Sequence, residues 1–392
     1  MKRVLAAFLL LQALAAQAFI VDRYSGPGTN FTSLVTAVAN VPDGAVLLVR
    51  PGSYSAFVMS GKGLTILADP GVDIGGDIQI ANTAAHQAVT LRGLIWQSVP
   101  PLGRPLKLLQ CAGPVLIEQL TQPAGSYYPG PTTSFAVGVY ADGCAGVTLR
   151  ECQIGCTLYS RNSHTVIEDC AIRGEGDQQT GLLCRNAVTC EGGTLVVAGA
   201  NTLLEGGDAH NMTPFSAPGV GVSLIGSASL RAVGGAIRSG RFFGTGTFPG
   251  GCAICPIGAS RVSPRVLLFT ANPAQPEEPT DDVMPELTAL GTTLGGMVSA
   301  SVTTEVGDAA ILAVGLPVAA TTVAGFQDPF WLDPGLHVVA AIGVQQVGMP
   351  VTGSFAVPNV AGFVGLRLDW QAACFGPVTG MQLSNPSATL VH

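Results

Sequence analysis

The chain predicts an all-β protein, a parallel β-helix followed by a small antiparallel β-sandwich, and three observations carry that prediction. The first is repetition. Val89-Thr90-Leu91-Arg92, Val115-Leu116-Ile117-Glu118, Val147-Thr148-Leu149-Arg150 and Val166-Ile167-Glu168-Asp169 write one short strand four times, at spacings of 18 to 33 residues. Self-similarity at that period marks a solenoid, because copies too short to bury their own apolar faces must stack. The second is composition: 51 Gly and 27 Pro with only 11% charged residues suit short strands and turns better than helices. The third is a break in pattern, where the repeat stops at a Pro-rich acidic stretch and alternating strands take over.

Taken in order, Met1-Lys2-Arg3, the apolar run Val4 to Leu14 and the small-residue site Ala16-Gln17-Ala18 have the three regions of a secretory signal peptide. The expected leader is 1–18, with Phe19 as mature N-terminus, and the expected location is secreted, extracellular or cell-surface. The run is short for a bilayer span of ~20 residues, and no later segment stays apolar long enough, so no transmembrane segment is expected in the mature chain. A net charge of −7 and only three lysines, Lys2, Lys62 and Lys107, exclude nucleic acid, which requires a basic stripe.

Leu34, Ala37, Val38 and Val41 fall at helical spacing, with Thr32 or Ser33 available as N-cap. A short helix here would cap the first turn of a solenoid and cover its exposed edge. Pro42-Asp43-Gly44 then turns the chain into a strand from Ala45 to Val49, which Arg50-Pro51-Gly52-Ser53-Tyr54 ends. Next comes Gly63-Leu64-Thr65-Ile66-Leu67.

This order of helix, Pro-Asp-Gly turn, apolar strand, Pro-Gly-x-Tyr stop and Gly-Leu-Thr-Ile-Leu strand resembles the start of pectin-lyase-like right-handed β-helix proteins, including pectin methylesterases. The resemblance covers roughly residues 27 to 270 and implies a right-handed winding for the β-helix domain expected over residues 19–271. It implies no activity, because the carry-over fails at the catalytic motifs. Leu102-Gly103-Arg104-Pro105 matches an element of pectin methylesterases, yet it comes early, and no Asp-Phe occurs anywhere in the chain.

Aligning the copies puts Leu91, Leu116, Leu149 and Ile167 at one inward position, followed by Gly93, Glu118, Glu151 and Asp169. Cys152 then falls above Cys170, and Ile154 above Ile172. Burying Leu149, Cys152 and Ile154 together requires Arg150 and Glu151 to occupy a bend. Residues 123–131, with Tyr127-Tyr128, read as a loop thrown out of the wall. Residues 272–283 read as a Pro-rich acidic linker. Alternation in Gly296 to Val302, Ala310 to Val314 and His337 to Ile342 predicts a sandwich over 284–392. That tail, with Trp331-Leu332-Asp333-Pro334 and Leu383-Ser384-Asn385-Pro386, resembles a C-terminal β-sandwich common on exported proteins of planctomycete-type bacteria.

The strongest constellation is a carboxylate stack of Glu118, Glu151 and Asp169. Neighbouring strands lie ~4.8 Å apart, so these like charges need a cation, a proton or arginines. The candidate binding face is Arg150, Glu151, Glu168, Asp169 and Arg173, with Tyr127 and Tyr128 beside it to stack on a sugar ring. The functional reading is a wall that binds uronate or Ca²⁺, the one cofactor such a wall could hold; none is otherwise implied. The alternative is an Arg/Glu-compensated outer face that keeps the solenoid soluble. No residue is assigned a catalytic role.

Ten cysteines in an exported chain point to an oxidising compartment. Candidate disulfide residues are Cys111, Cys144, Cys152, Cys170, Cys252 and Cys255, with an inward stack of thiols as the alternative for the first four. The sequence therefore predicts a non-catalytic surface or matrix protein whose partner is a polysaccharide or another envelope component. The competing prediction is a carbohydrate-active enzyme, a lyase or hydrolase, that uses the wall carboxylates.

Overall fold

The computed structural model describes residues 17–96, 106–123, 137–176, 184–210, 218–243, 251–255, 260–269, 283–326, 328–377 and 380–392. The predicted leader except its last two positions, the Leu102 to Pro105 element, the Tyr127-Tyr128 loop and all but one residue of the 272–283 stretch lie outside them.

The protein is all-β, with a large parallel sheet and separate antiparallel sheets. The parallel sheet has 16 strands, arranged as two runs. One run pairs Ala18–Val21, Val46–Val49, Thr65–Ala68, Val89–Arg92, Val115–Glu118 and Val147–Arg150 in sequence. The other pairs Val58–Ser60, Ile78–Ala81, Leu106–Leu109 and Val137–Asp142. The long strands Thr157–Glu168 and Val188–Ala198 belong to both runs and fuse them. A second parallel sheet of six strands carries Thr121–Gln122, Gln153–Ile154, Ala171–Arg173, Leu203–Glu205, Ala236–Arg238 and Leu267–Phe269.

From Leu106 onward each copy takes the same path. A strand of the second run turns a corner into a strand of the first, which turns another corner into the six-stranded sheet. Left-handed backbone makes the corners: Gly93, Gln119, Glu151, Asp169 and Gly199 at one, with φ between 50° and 86°, and Asn82, Gln110, Gly143 and Asn162 at the other. The bend is thus a single residue. Glu151 forms it alone, whereas Arg150 stays in its strand.

That correction shifts the alignment. Ile117, not Leu116, pairs with Leu149, and Leu149 lies beside Ile167. The inward column is Ile66, Leu91, Ile117, Leu149, Ile167 and Val197, all at 1% exposure or less. Ile154 beside Ile172 holds as expected. The short helix Leu34–Asn40 is capped by Ser33, whose hydroxyl accepts from the Thr36 N–H, and it packs Leu34, Ala37, Val38 and Val41 into the same core. Several strands escaped the sequence reading: Ala18–Val21, which adds to Val46–Val49 ahead of the helix, and those of the second run, Val58–Ser60, Ile78–Ala81, Leu106–Leu109 and Val137–Asp142.

Cys252 and Cys255 form a disulfide. Cys111, Cys144, Cys152 and Cys170 do not; all four are buried free thiols. In-register neighbours on parallel strands point their Cβ atoms the same way at ~4.8 Å, and a disulfide needs them to converge. Each of these thiols follows a left-handed corner residue, and each donates weakly to the carbonyl two residues earlier, of Leu109, Asp142, Arg150 and Glu168 respectively. Cysteine suits this position as a small apolar side chain with a weak donor.

After residue 283 the pairing becomes antiparallel. Glu286–Leu290, Met297–Thr303 and Val351–Ala356 form a three-stranded sheet. Phe330–Val344, Ala309–Thr321, Arg367–Gly376, Gly380–Leu383 and Ser387–Leu390 form a five-stranded one. Leu287, Val298 and Val302 from the first share one apolar core with Leu312, Trp370 and Ala372 from the second.

These antiparallel strands cover the outward face of the first run of the parallel sheet. Trp331 packs on Val166 and Val196, Leu390 on Val46 and Leu67, and Met284 on Ala198 and Val233. The approach is close enough that a Cβ on Gly146 would come within 2.9 Å of the Trp331 ring.

Candidate functional site

The predicted charged wall is a buried contact. Glu118 pairs with Arg150 and Arg150 with Glu168 in register, and Arg92 precedes them, so the column alternates in sign where a carboxylate stack was expected. Arg92 bonds Glu118 at 3.0 Å, Arg150 bonds Glu118 at 3.2 Å, and Arg150 lies 3.9 Å from Glu168. Arg150 also donates to the carbonyls of Ala388 and Ala289, at 2.6 and 2.7 Å. Ser387 donates its hydroxyl to Glu168 at 2.5 Å. Arg150 is 3% exposed and Glu168 1%, which removes both from any solvent-facing site. Burial pushes the Glu168 carboxyl up to about 8, against the opposing pull of Arg150 and Ser387.

The remaining predicted residues are scattered. Glu151 is exposed at its corner, where Gln119 donates to it at 2.9 Å and Arg150 reaches it at 3.2 Å. Asp169 accepts from the Asn201 N–H. Arg173 stands on the six-stranded sheet and pairs with Glu205 at 3.1 Å, on a different face from Arg150. The structure therefore brings Arg150, Glu151 and Glu168 together and leaves Arg173 apart. Among the described residues, no group of three or more His, Cys, Asp or Glu is placed to hold a metal ion, and no helix is long and apolar enough to cross a membrane.

A different cluster forms on the second run of the parallel sheet. Its register stacks Gln79, Lys107, Tyr140, Tyr159 and Thr189 in one outward column and Asp142, Arg161 and Glu191 in the next. The Tyr140 and Tyr159 rings lie 5.7 Å apart, tilted by 33°. Arg161 grips Asp142 with both Nε, at 3.0 Å, and Nη2. The Tyr140 hydroxyl adds a longer bond to the same carboxylate, 3.4 Å. Tyr159 donates to Glu191 at 2.5 Å. One step along, Lys107 bonds Asp77 at 2.7 Å.

The bond to Glu191 dominates the Tyr159 phenol and, helped by burial, raises it to about 12. Tyr159 therefore stays a donor across the physiological range. The Asp142 bond likewise holds Arg161 as a cation. Tyr140 is mostly buried, Tyr159 is partly exposed, and 44% of the Arg161 side chain meets solvent. The result is one partly exposed aromatic ring, Tyr159, packed on the buried Tyr140 and rimmed by donors and acceptors of both signs.

Sequence reasoning placed its sugar-stacking tyrosines at Tyr127 and Tyr128, outside the described residues. It missed Tyr140 and Tyr159. The signal was available, because Val139-Tyr140-Ala141-Asp142 and Leu158-Tyr159-Ser160-Arg161 are two further copies of one strand. They belong to the run that the Val-x-Leu-Arg repeat did not reveal.

Comparison with models of protein families, with curated proteins and with solved structures finds no match to this chain.

Proposed function

We propose that the chain is an exported two-domain β-protein that holds polysaccharide or another envelope component without chemically altering it. Residues 19–271 would wind as a right-handed parallel β-helix of pectin-lyase-like type, and 284–392 would form a β-sandwich joined through the 272–283 linker. The observation that carries the binding reading is the Tyr140–Tyr159 pair with its rim of Asp142, Arg161 and Glu191. A partly exposed aromatic face suits the apolar face of a sugar ring, and fixed polar groups around it suit the hydroxyls. A binding role fits better than catalysis here. Asp142 is engaged by Arg161 and Glu191 by Tyr159, whereas glycoside hydrolysis needs one carboxyl that gives up a proton and one that attacks or activates water.

The test is co-sedimentation of the purified full chain with insoluble and acidic polysaccharides, with and without Ca²⁺. Tyr159→Ala should weaken retention at least about fivefold, on the order of the stacking contribution of one aromatic ring, and Tyr159→Phe should retain most of it. Equal retention of Tyr159→Ala and the parent would overturn the site. Release of shortened chains from any polysaccharide would overturn the non-catalytic reading.

A further inference from the structure

A cavity of about 310 Å³ lies where the antiparallel strands meet the outward face of the parallel sheet. It is within the size range of small-molecule sites, which concentrate at such seams. Arg231 and Arg261 occupy consecutive positions of one outward column, so two like charges sit one strand spacing apart, ~4.8 Å. Asp328 enters from the opposite side and bonds Arg231 at 3.0 Å, with Arg261 at 3.6 Å. The described lining thus carries two guanidiniums and one carboxylate.

The two arginines differ in exposure. Arg231 is fixed, since it also donates to the Leu383 carbonyl at 2.6 Å and is 6% exposed. Arg261 keeps 31% of its side chain exposed, placing a cation where an entering group meets it. The other walls are chiefly apolar and include Val196, Pro386 and Trp331. Trp331 is held in place by its backbone N–H, which donates to Gln371 at 2.9 Å, and by packing on Val166 and Val196.

We propose that this seam cavity binds a small amphipathic monocarboxylate, its carboxylate on Arg261 and its apolar body between Pro386 and Trp331. The competing classes fit less of the lining. A wholly apolar ligand would strip water from a guanidinium and return no hydrogen bond. A bare inorganic anion would leave the apolar walls wet. A planar carboxylate matches the fork geometry of arginine, and an apolar ring fills the remainder.

The experiment titrates the full chain with benzoate, its neutral analogue benzamide, and inorganic phosphate, and follows tryptophan fluorescence. Trp96 and Trp370 are wholly buried away from the cavity lining, so a change that disappears in Trp331→Phe reports the cavity. Benzoate should bind saturably, and benzamide and phosphate at least about tenfold more weakly, as the loss of one charge-assisted contact dictates. Arg261→Gln should weaken benzoate by a similar factor and Arg261→Lys should recover part of it, with unfolding midpoints of both measured so that lost binding is separated from lost fold. Equal affinity for benzoate and benzamide, equal affinity for benzoate and phosphate, absence of saturable binding, or full benzoate affinity in Arg261→Gln would each overturn the proposal. The comparison among the three probes needs no variant, so it stands even if a substitution unfolds the chain.

Discussion

Arg150 and Glu168 face each other across adjacent parallel strands, and both are closed off by residues that come more than two hundred positions later. Ala388 takes a hydrogen bond from Arg150 at a sequence separation of 238, and Ser387 gives one to Glu168 at a separation of 219. The charges that look like a recognition surface in the sequence are the glue between the two halves of the molecule.

Arg150→Met should destabilise the protein by about 3–5 kcal/mol, the range for stranding a buried charge, because Glu118 and Glu168 lose their shared cation. Glu151→Gln, on the exposed corner one residue away, should fall within about 0.5 kcal/mol of the parent. Urea unfolding of the two variants side by side checks the contrast. Similar losses in both would mean that the buried ladder adds nothing special.

Stability should fall as pH rises. Burial lifts the carboxyls of Glu118, Glu168 and Glu286 above their ordinary range, so the folded state binds their protons more tightly than the unfolded chain does. Stability from such groups is complete below the unfolded value and is lost as pH climbs through the folded one. For Glu168 that window runs from 4.5 to about 8. Glu168→Gln should flatten the slope there by at most one proton, about 1.4 kcal/mol per pH unit. Unfolding midpoints measured across the window decide the matter.

The Tyr159 phenol should ionise late. Absorbance titration near the phenolate band should show one tyrosine at about 12, and Glu191→Gln should bring it back toward the value of 10.0 expected without that partner. The sign follows from the bond itself, since Glu191 accepts the phenol proton and repels a phenolate.

Glycine is required where backbones of neighbouring copies meet. A Cβ on Gly240 would collide with the carbonyl oxygen and carbon of Gly207, whereas one on Gly75 meets nothing nearer than the Tyr54 carbonyl oxygen at 3.9 Å. Gly240→Ala should cost roughly 1–3 kcal/mol, as overpacking does, and Gly75→Ala should be within about 0.5 kcal/mol of neutral. Thermal midpoints of the pair test this directly.

Thiol reactivity should be graded. Eight cysteines are free, seven of them buried, with Cys184 the partly exposed one. In native buffer a maleimide should label Cys184 first and the corner thiols Cys111, Cys144, Cys152 and Cys170 only as the chain opens. Without reductant, denatured protein should titrate eight thiols and leave Cys252 and Cys255 unlabelled. Ten would dissolve the disulfide.

The parallel repeat was legible because the copies share a Val-x-Leu or Val-Ile core. Its register was not, and Val115-Leu116-Ile117-Glu118 explains why. Three successive apolar residues give no alternation to decide whether Leu116 or Ile117 points inward. Both are buried, at 0% and 1%, since Leu116 faces the antiparallel strands while Ile117 faces the core. A sheet covered on both faces reads as a continuous apolar run. The one-residue corner was equally hidden, because Glu151 and Asp169 carry no glycine to announce a left-handed backbone. The alternating strands of the tail were easier: Met297–Thr303 overlaps the Gly296 to Val302 segment that period two marked out, and Ala309–Thr321 contains Ala310 to Val314.

The lateness of Ser387–Leu390 shapes how the molecule is made. At typical synthesis rates of ~5–20 residues per second, the strands bearing Glu118, Arg150 and Glu168 leave the ribosome roughly ten to fifty-five seconds before the residues that close over them. During that interval a half-matched row of charges, flanked by Leu116, Val166 and Val196, faces water. A nascent chain in this state is a natural client for a holding chaperone, and one that lost its final strands would stay open and be cleared by proteolysis.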